Sequence, residues 1–412
     1  MTDPVATIQA ALDKLAGDLP ALGLAVSGGG DSIAMMHVAA DWARGRKLMV
    51  ATVDHGLRPE SAAEAQAVAR AARALSLPHA VLLWQRQTDV GNLMAQARDA
   101  RLRLLSGWAH RNNLPAVALG HTADDVAETL IMRLERGSGI DGLAAMAPWR
   151  DAFDMRWLRP MLGVGRDDLR QWLHRKGHSW IDDPSNDNAE FDRVRVRQTI
   201  GTLGLDVAGL ARSAQHIADA RDALSDFALM VARDAQFDRG SLSLPLSDLR
   251  EAPPEIRRRI LVAACRWVSG ADYPPRRATL LHALEAMMAQ GRVTLDGVLL
   301  SPAGGRLRLT REAAAAARAD AAHETGSGTR TWDRRWRIVG MQPGQHVAML
   351  GTDLLPQLGW RDSGLLRDEA AASPAIWQGD RLIGAPLLRQ VPGITVSALR
   401  GAADFRSLVK AH

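Results

Sequence analysis

Leu22-Gly-Leu-Ala-Val-Ser-Gly-Gly-Gly-Asp-Ser32 is the stretch on which the reading of the whole chain turns. Leu22 to Val26 reads as a short buried strand, and the apolar stretch Ile33 to Ala43 reads as a helix. Between them, successive glycines let backbone N–H groups converge on one point, where the helix dipole adds partial positive charge. That geometry suits a polyanion such as a nucleotide phosphate. A Walker A loop is excluded, because no lysine follows the glycines. A carboxylate, Asp31, stands at the turn instead. An aspartate beside phosphates is repulsive unless a cation lies between them, so Asp31 implies Mg2+.

Outward from this loop, the totals bound the protein class. The chain has 412 residues, enough for two or three domains, and 47% are hydrophobic. Net charge is +5, which leans towards an anionic partner, and most of the basic residues are arginine, which favours bidentate phosphate contacts. The single cysteine, Cys265, excludes a disulfide framework, a cysteine zinc site and an iron–sulfur cluster. Neither a signal peptide at Met1 to Ala10 nor an apolar run of membrane-spanning length is visible, so a soluble, cytoplasmic protein is expected.

Strand-like runs recur at Lys47–Val53, Ala80–Trp84 and Pro115–Gly120, separated by helical stretches. The alternation predicts an α/β fold built on a doubly wound parallel sheet, with ligands at the carboxyl ends of its strands. Three polar clusters fall at such ends: Ser27 to Ser32, Asp54 to Arg58 and His121 to Asp125. On a helix from Thr122 to Glu135, His121, Asp124, Asp125 and Glu128 share one face, and Val126, Ala127, Leu130 and Leu134 lie opposite. Carboxylates so crowded call for a cation, either Mg2+ or a substrate ammonium. A basic run, Arg193, Arg195 and Arg197, opens a later helix at about Phe191.

The loop Ser27-Gly-Gly-Gly-Asp-Ser32 resembles the PP-loop of ATP pyrophosphatases, which cleave ATP between its α- and β-phosphates. Further segments make the resemblance specific to the tRNA(Ile)-lysidine synthetase family. They are Val53 to Arg58, Ala97 to Arg101, Gly120 to Thr129, Gly137 to Leu143, Arg159-Pro160, Asp183 to Asn186 and Asp192 to Arg197, all within about the first 200 residues. Leu102 and Val194 stand where the family usually has Tyr and Asn.

The resemblance implies ATP-dependent adenylation of C2 of the first anticodon cytidine in a CAU-bearing tRNA(Ile). Attack by the ε-amine of free lysine then gives lysidine and AMP. It implies ATP and Mg2+ as cofactors, with ATP at Ser27, Gly28, Gly29, Gly30, Asp31, Ser32 and Asp54, and the metal at Asp31. Asp31, Asp124, Asp125 and Glu128 are the catalytic candidates, with the division of labour among the last three left open between binding lysine, orienting its ε-amine and accepting a proton. His121, Arg98, Arg101, Arg193 and Arg197 are candidates for lysine or phosphate contacts. Other members of the superfamily, a tRNA thiolase or an amide-forming ligase, are the alternatives, and a non-catalytic RNA binder is a further one.

The expected organisation is a catalytic domain over 1–205, a mostly helical middle domain over 206–325 and a small α+β domain over 326–412. Helices are expected at Leu210–Phe237, Pro254–Val268 and Arg276–Gln290, a hairpin around Pro302 to Gly305, and a linker at Glu324 to Thr329. Arg257, Arg258, Arg259, Arg276 and Arg277 would suit tRNA phosphates.

Overall fold

A computed structural model describes residues 3–56, 61–84, 93–182, 192–289, 291–319, 322–323 and 328–410. Leu57 and Arg58, Asp183 to Asn186 and the first four residues of the expected linker therefore lie outside the described residues. The chain forms two compact units, Met1–Asp219 and Ala220–His412.

The first unit contains α1 (Pro4–Ala16), β1 (Ala21–Ala25), α2 (Gly30–Ala43), β2 (Lys47–Asp54), α3 (Ser61–Ala74), β3 (His79–Leu83), α4 (Leu93–Arg111) and β4 (Ala116–Leu119). It continues through α5 (Ala123–Glu135), α6 (Ile140–Leu143), β5 (Trp149–Ala152), β6 (Met155–Leu158), α7 (Arg166–Lys176) and α8 (Asp192–Thr202). The strands form one sheet in the order β3-β2-β1-β4-β6-β5, parallel throughout except for the β5–β6 hairpin.

Alternation along β1 explains the two layers. Leu22, Leu24 and Val26 join Ile8, Leu12, Met35, Met36 and Leu173 in a core on one face. Ala21 and Ala25 join Leu105, Trp108 and Trp157 on the other. Gly23 lies between them because a Cβ there would stand 2.9 Å from the Trp108 ring. The sheet is thus covered on both faces, which leaves its strand ends as the open ground for polar chemistry.

Two family positions with unusual residues turn out to be packing positions. Leu102 lies in the core under α4, and Val194 is buried in α8. On α5, Val126, Ala127 and Leu130 are buried as expected. Leu134 is not: it is 50% exposed, because it lies in the last turn of the helix, past the packed stretch.

In the second unit, a five-stranded antiparallel sheet runs in the order Gln236–Asp238, Ser241–Pro245, Arg306–Arg311, Val298–Ala303, Val293–Leu295. The helix Pro254–Ser269 packs on it through Ile256, Ile260, Leu261 and Ala264. The hairpin around Pro302 to Gly305 is present. The expected long helix ends at Val231, and Gln236–Asp238 is a strand instead. Two smaller sheets, of four and three strands, follow around Trp332, Trp336 and Ile376.

Candidate active site

The glycine loop follows β1 directly, and α2 begins at Gly30 with Gly29 as its N-cap. The two serines brace the turn. The Ser27 N–H donates to Ser32 Oγ at 3.2 Å, and the Ser32 hydroxyl donates to the Gly29 carbonyl at 2.9 Å. The three glycines serve different ends. Gly28 adopts φ +100°, and its carbonyl accepts from Ile181 N–H at 3.0 Å. Gly29 has an ordinary φ of −68°, and a Cβ there would meet nothing closer than Ser27 Oγ at 4.0 Å. Gly30 would place its Cβ 3.5 Å from the Trp180 ring, an ordinary contact. The loop therefore keeps one backbone face bare at Gly29, the face on which an anion can approach the N–H groups.

A cavity of about 340 Å³ opens beside this loop on the β2 side. Its lining includes Ser27, Gly29, Thr52, Val53, His55 and Arg101. That volume fits a nucleoside. Arg101 has no carboxylate partner among the described residues, so its charge is available to a phosphate. Burial pushes the His55 imidazole down, with Arg101 adding to the effect. Asp54 is used locally: its Oδ1 accepts from the Gly56 N–H at 2.8 Å, and it is not part of the cavity wall. Arg98 is exposed on α4.

The carboxylates expected on α5 do come together with Asp31, but the offsetting charge comes from the chain itself. Arg166, the first residue of α7, donates through Nε to Asp31 Oδ2 at 3.1 Å and through Nη1 to Glu128 Oε1 at 3.3 Å. Its Nη2 lies 3.8 Å from Asp125 Oδ1, and its backbone N–H donates to Asp124 Oδ2 at 2.7 Å. From α8, Arg197 Nε donates to Glu128 Oε1 at 2.9 Å, and Arg193 lies 3.8 Å from Asp125. This corrects the expectation that the crowded acids need a metal or a substrate cation to coexist.

Burial pushes the Asp31 carboxyl above its ordinary value, Arg166 pulls it back, and Asp125 and Asp124 add to the rise. Burial also opposes the charge of Arg166, but the surrounding carboxylates outweigh it and hold the guanidinium above its usual range.

The three α5 carboxylates are not equivalent. Asp124 is tied to the start of α7. Asp125 accepts from its own helix's Thr122 N–H at 2.9 Å and so caps α5. Glu128 is 2% exposed, and its Oε2 has no hydrogen-bond partner among the described residues. Nearby, burial, with Arg159, Arg101 and Arg193 adding to it, pushes His121 down to about 4, against the pull of Asp125. Its imidazole is therefore neutral at pH 7, and its buried Nδ1 is also unpartnered. Four carboxylates against three guanidiniums leave one negative charge around a buried open acceptor. That arrangement can take one further cation.

The residue that sequence reasoning missed is Arg166; His55 belongs to the Asp54 to Arg58 cluster expected at a strand end. A basic residue at the first turn of α7 opposes the helix dipole, which was the available signal for Arg166.

In the second unit, the basic run on the helix Pro254–Ser269 is not a free surface. Arg259 is fully buried, 3.0 Å from Glu255 and 3.3 Å from Ser225 Oγ. Arg258 makes a two-point pair with Glu255 at 2.7 Å, and Arg257 points at Met288 Sδ. The expected phosphate role of Arg258 and Arg259 is therefore corrected: helix periodicity turns them inward, onto Glu255. Arg276 and Arg277 are exposed, without an ion pair among the described residues.

Residues 4–203 match the model of a PP-loop domain. The tRNA(Ile)-lysidine synthase of Ruegeria pomeroyi is 43% identical over 401 residues, covering 95% of this chain and 94% of that protein. Those of Bradyrhizobium diazoefficiens and Methylobacterium nodulans are 40% and 39% identical, each over 70% of this chain and 89% of the relative.

Proposed function

Because the chain belongs to the tRNA(Ile)-lysidine synthase family, we propose that the strand-end site of its first unit joins free lysine to an ATP-activated anticodon cytidine. The enzyme is an ATP-dependent ligase acting on tRNA, and a tRNA substrate supports a cytoplasmic location.

In this reading the nucleoside of ATP fills the cavity at His55 and Arg101, and its phosphates lie on the bare face of Gly29. The converging N–H groups stabilise the charge that grows on pyrophosphate as it leaves the α-phosphate. C2 of the cytidine, through its oxygen, takes the adenylyl group. The amine nitrogen then forms the C–N bond and AMP departs with that oxygen.

The residues fit a Mg2+ ion carried in by the triphosphate rather than a resident one. Asp31 offers a single carboxylate, and no group of three or more His, Cys, Asp or Glu among the described residues could hold a metal. Mg2+ at Asp31 would neutralise the phosphate charge and orient it for transfer.

Glu128 carries the assignment of the lysine end. Its buried, unpartnered Oε2 lacks a donor, and the surrounding charge is one cation short of balance. A lysine ammonium supplies both. Because three arginines already offset the acids, the site holds the amine without a strong field against its deprotonation, the step that attack requires. Asp124 and Asp125 act as positioning residues through their caps. A second cavity of about 660 Å³ borders Asp124 and Arg166 and is lined further by Asp167, Asp168 and Asp206, a lining that suits the approach of a cationic small molecule.

The test is incubation with ATP, Mg2+, labelled lysine and a CAU-bearing tRNA(Ile) transcript, beside a transcript lacking the anticodon cytidine. Label entering only the first, with AMP and pyrophosphate formed, is the expected result. Pyrophosphate release that needs tRNA but carries no lysine into it would reject the assignment of Glu128.

A further inference from the structure

Beyond the acidic cluster, the same sheet edge carries arginines that no carboxylate among the described residues neutralises. Arg159 follows β6 immediately and is 8% exposed. Its Nη1 donates to the Ala147 carbonyl at 2.6 Å, but its Nε is buried without a partner, and no carboxylate pairs with it among the described residues. Arg150, on β5, pairs in register with Trp157 and likewise has a buried, unpartnered Nε. The charges that act on Arg159 are those of Arg150 and Arg98, and both repel it. Burial and that repulsion push it down to about 10. A buried guanidinium without a counter-ion is unfavourable, so a fold that keeps one leaves room for an anion to come from outside.

The position in the sheet says which anion. The nucleoside cavity lies towards β2, whereas β6 and β5 lie on the far side of β4, two and three strands from β1. At about 4.8 Å per strand, these arginines stand roughly 10–14 Å from the phosphate loop, on the side that the nucleotide does not occupy. We propose that Arg159 and Arg150 form a phosphodiester subsite that grips the RNA backbone next to the cytidine being modified. The inference rests on the function proposed above. Two planar forks with free donors match a phosphodiester better than point charges would.

The experiment compares Arg159→Met and Arg150→Gln with the wild-type chain in three measurements. These are thermal melting, binding of a non-hydrolysable ATP analogue without tRNA, and binding of the tRNA(Ile) transcript over a salt series. Arg159→Met should melt no lower than wild type, since the lost hydrogen bond is offset by relief of an uncompensated charge. Each variant should bind tRNA about tenfold more weakly, with the slope of log K against log salt reduced by about one, and bind the ATP analogue unchanged. Unchanged tRNA affinity and slope in both variants would overturn the subsite. So would weakened binding of the ATP analogue with tRNA binding intact, which would assign the anion to the nucleotide. A strongly destabilised Arg159→Met would overturn the argument from uncompensated charge. Failure of the wild-type chain to bind the transcript would instead count against the proposed function.

Discussion

Substituting Gly28 and Gly29 separately by alanine should split the loop's stability from its function. At Gly28 the backbone has φ +100°, a region that alanine enters only under strain, and the new Cβ would stand 2.8 Å from Ile181 Cδ1 and 3.4 Å from Val68 Cγ2. The Ile181 contact involves the end of a flexible side chain and relaxes, so backbone strain dominates. Less the gain from a stiffer unfolded chain, the net cost is about 1–2 kcal/mol, a fall of roughly 3–6 °C in the melting of a unit this size.

Gly29→Ala differs on both counts. Its φ is ordinary and its Cβ would enter open space, so the poorer N-cap and the reduced unfolded-state entropy nearly cancel, within about 0.5 kcal/mol. That open space is the face assigned to the phosphates. A methyl group there denies at least one charge-assisted hydrogen bond, worth about 1.5–3 kcal/mol, or ten- to hundredfold in nucleotide affinity. Calorimetric melting and titration with an ATP analogue read the two effects independently. A Gly29→Ala chain that melts and binds like wild type would show that phosphates do not approach Gly29. Wild-type melting in the Gly28→Ala chain would refute the strain argument.

Arg166→Met should destabilise the first unit by about 3 kcal/mol at pH 7, since it strips the countercharge from buried carboxylates, and by less at acid pH, where Asp31, raised above its ordinary value by burial, takes up a proton. Equal losses at both pH values, measured by denaturant melts, would contradict the charge assignment. His121 is held down near 4 by burial, against an ordinary 6.5, so it favours the folded state above pH 6.5 and loses that contribution as pH falls towards 4. His121→Gln should therefore flatten the stability profile in that window, by about 1 kcal/mol per pH unit at most; an unaltered slope would contradict a neutral buried imidazole. Arg259→Leu should lower the melting temperature of the second unit and leave the salt slope of tRNA binding unchanged, because its partners are Glu255 and Ser225. Paired substitution of Arg276 and Arg277 by alanine should reduce that slope without changing melting, and the converse pattern would restore the RNA role to Arg259.

Local order explains what was legible in the sequence. The glycine loop and the helix that follows are contiguous in sequence, and the polar strand ends each sit beside the apolar run that buries them. The acidic face of α5 follows from helix periodicity alone. Its countercharge does not: Arg166 meets Asp31 across 135 positions, and as a lone arginine at a helix start it reads as solvated. The β5–β6 hairpin escaped for a similar reason. Its turn places Phe153 and Asp154 at φ +54°, a conformation usually signalled by Asn-Gly or Asp-Gly, and this sequence lacks that signal. In the second unit, the hairpin around Pro302 to Gly305 was legible, whereas Gln236–Asp238 and Ser241–Pro245 carry too little alternation to stand out beside the long helix before them. Arginine runs were misleading there because charge without a partner and charge locked onto Glu255 look alike until the helix is packed.

The assembled strand ends separate into two electrostatic halves. Around α5, four carboxylates are nearly balanced by Arg166, Arg193 and Arg197 and lack one cation. Around β5 and β6, Arg150 and Arg159 have no carboxylate partner among the described residues, which leaves a place for an anion. His121, neutral and short of a partner at Nδ1, follows β4 between them. A reaction that joins an amine to an RNA base needs this division, because a cation and a polyanion bound at a single uniform site would pair with each other before they reacted. Holding each against its own countercharge keeps the amine nitrogen apart from the phosphates and leaves the cytidine ring, the uncharged part of the RNA, as the group presented to it.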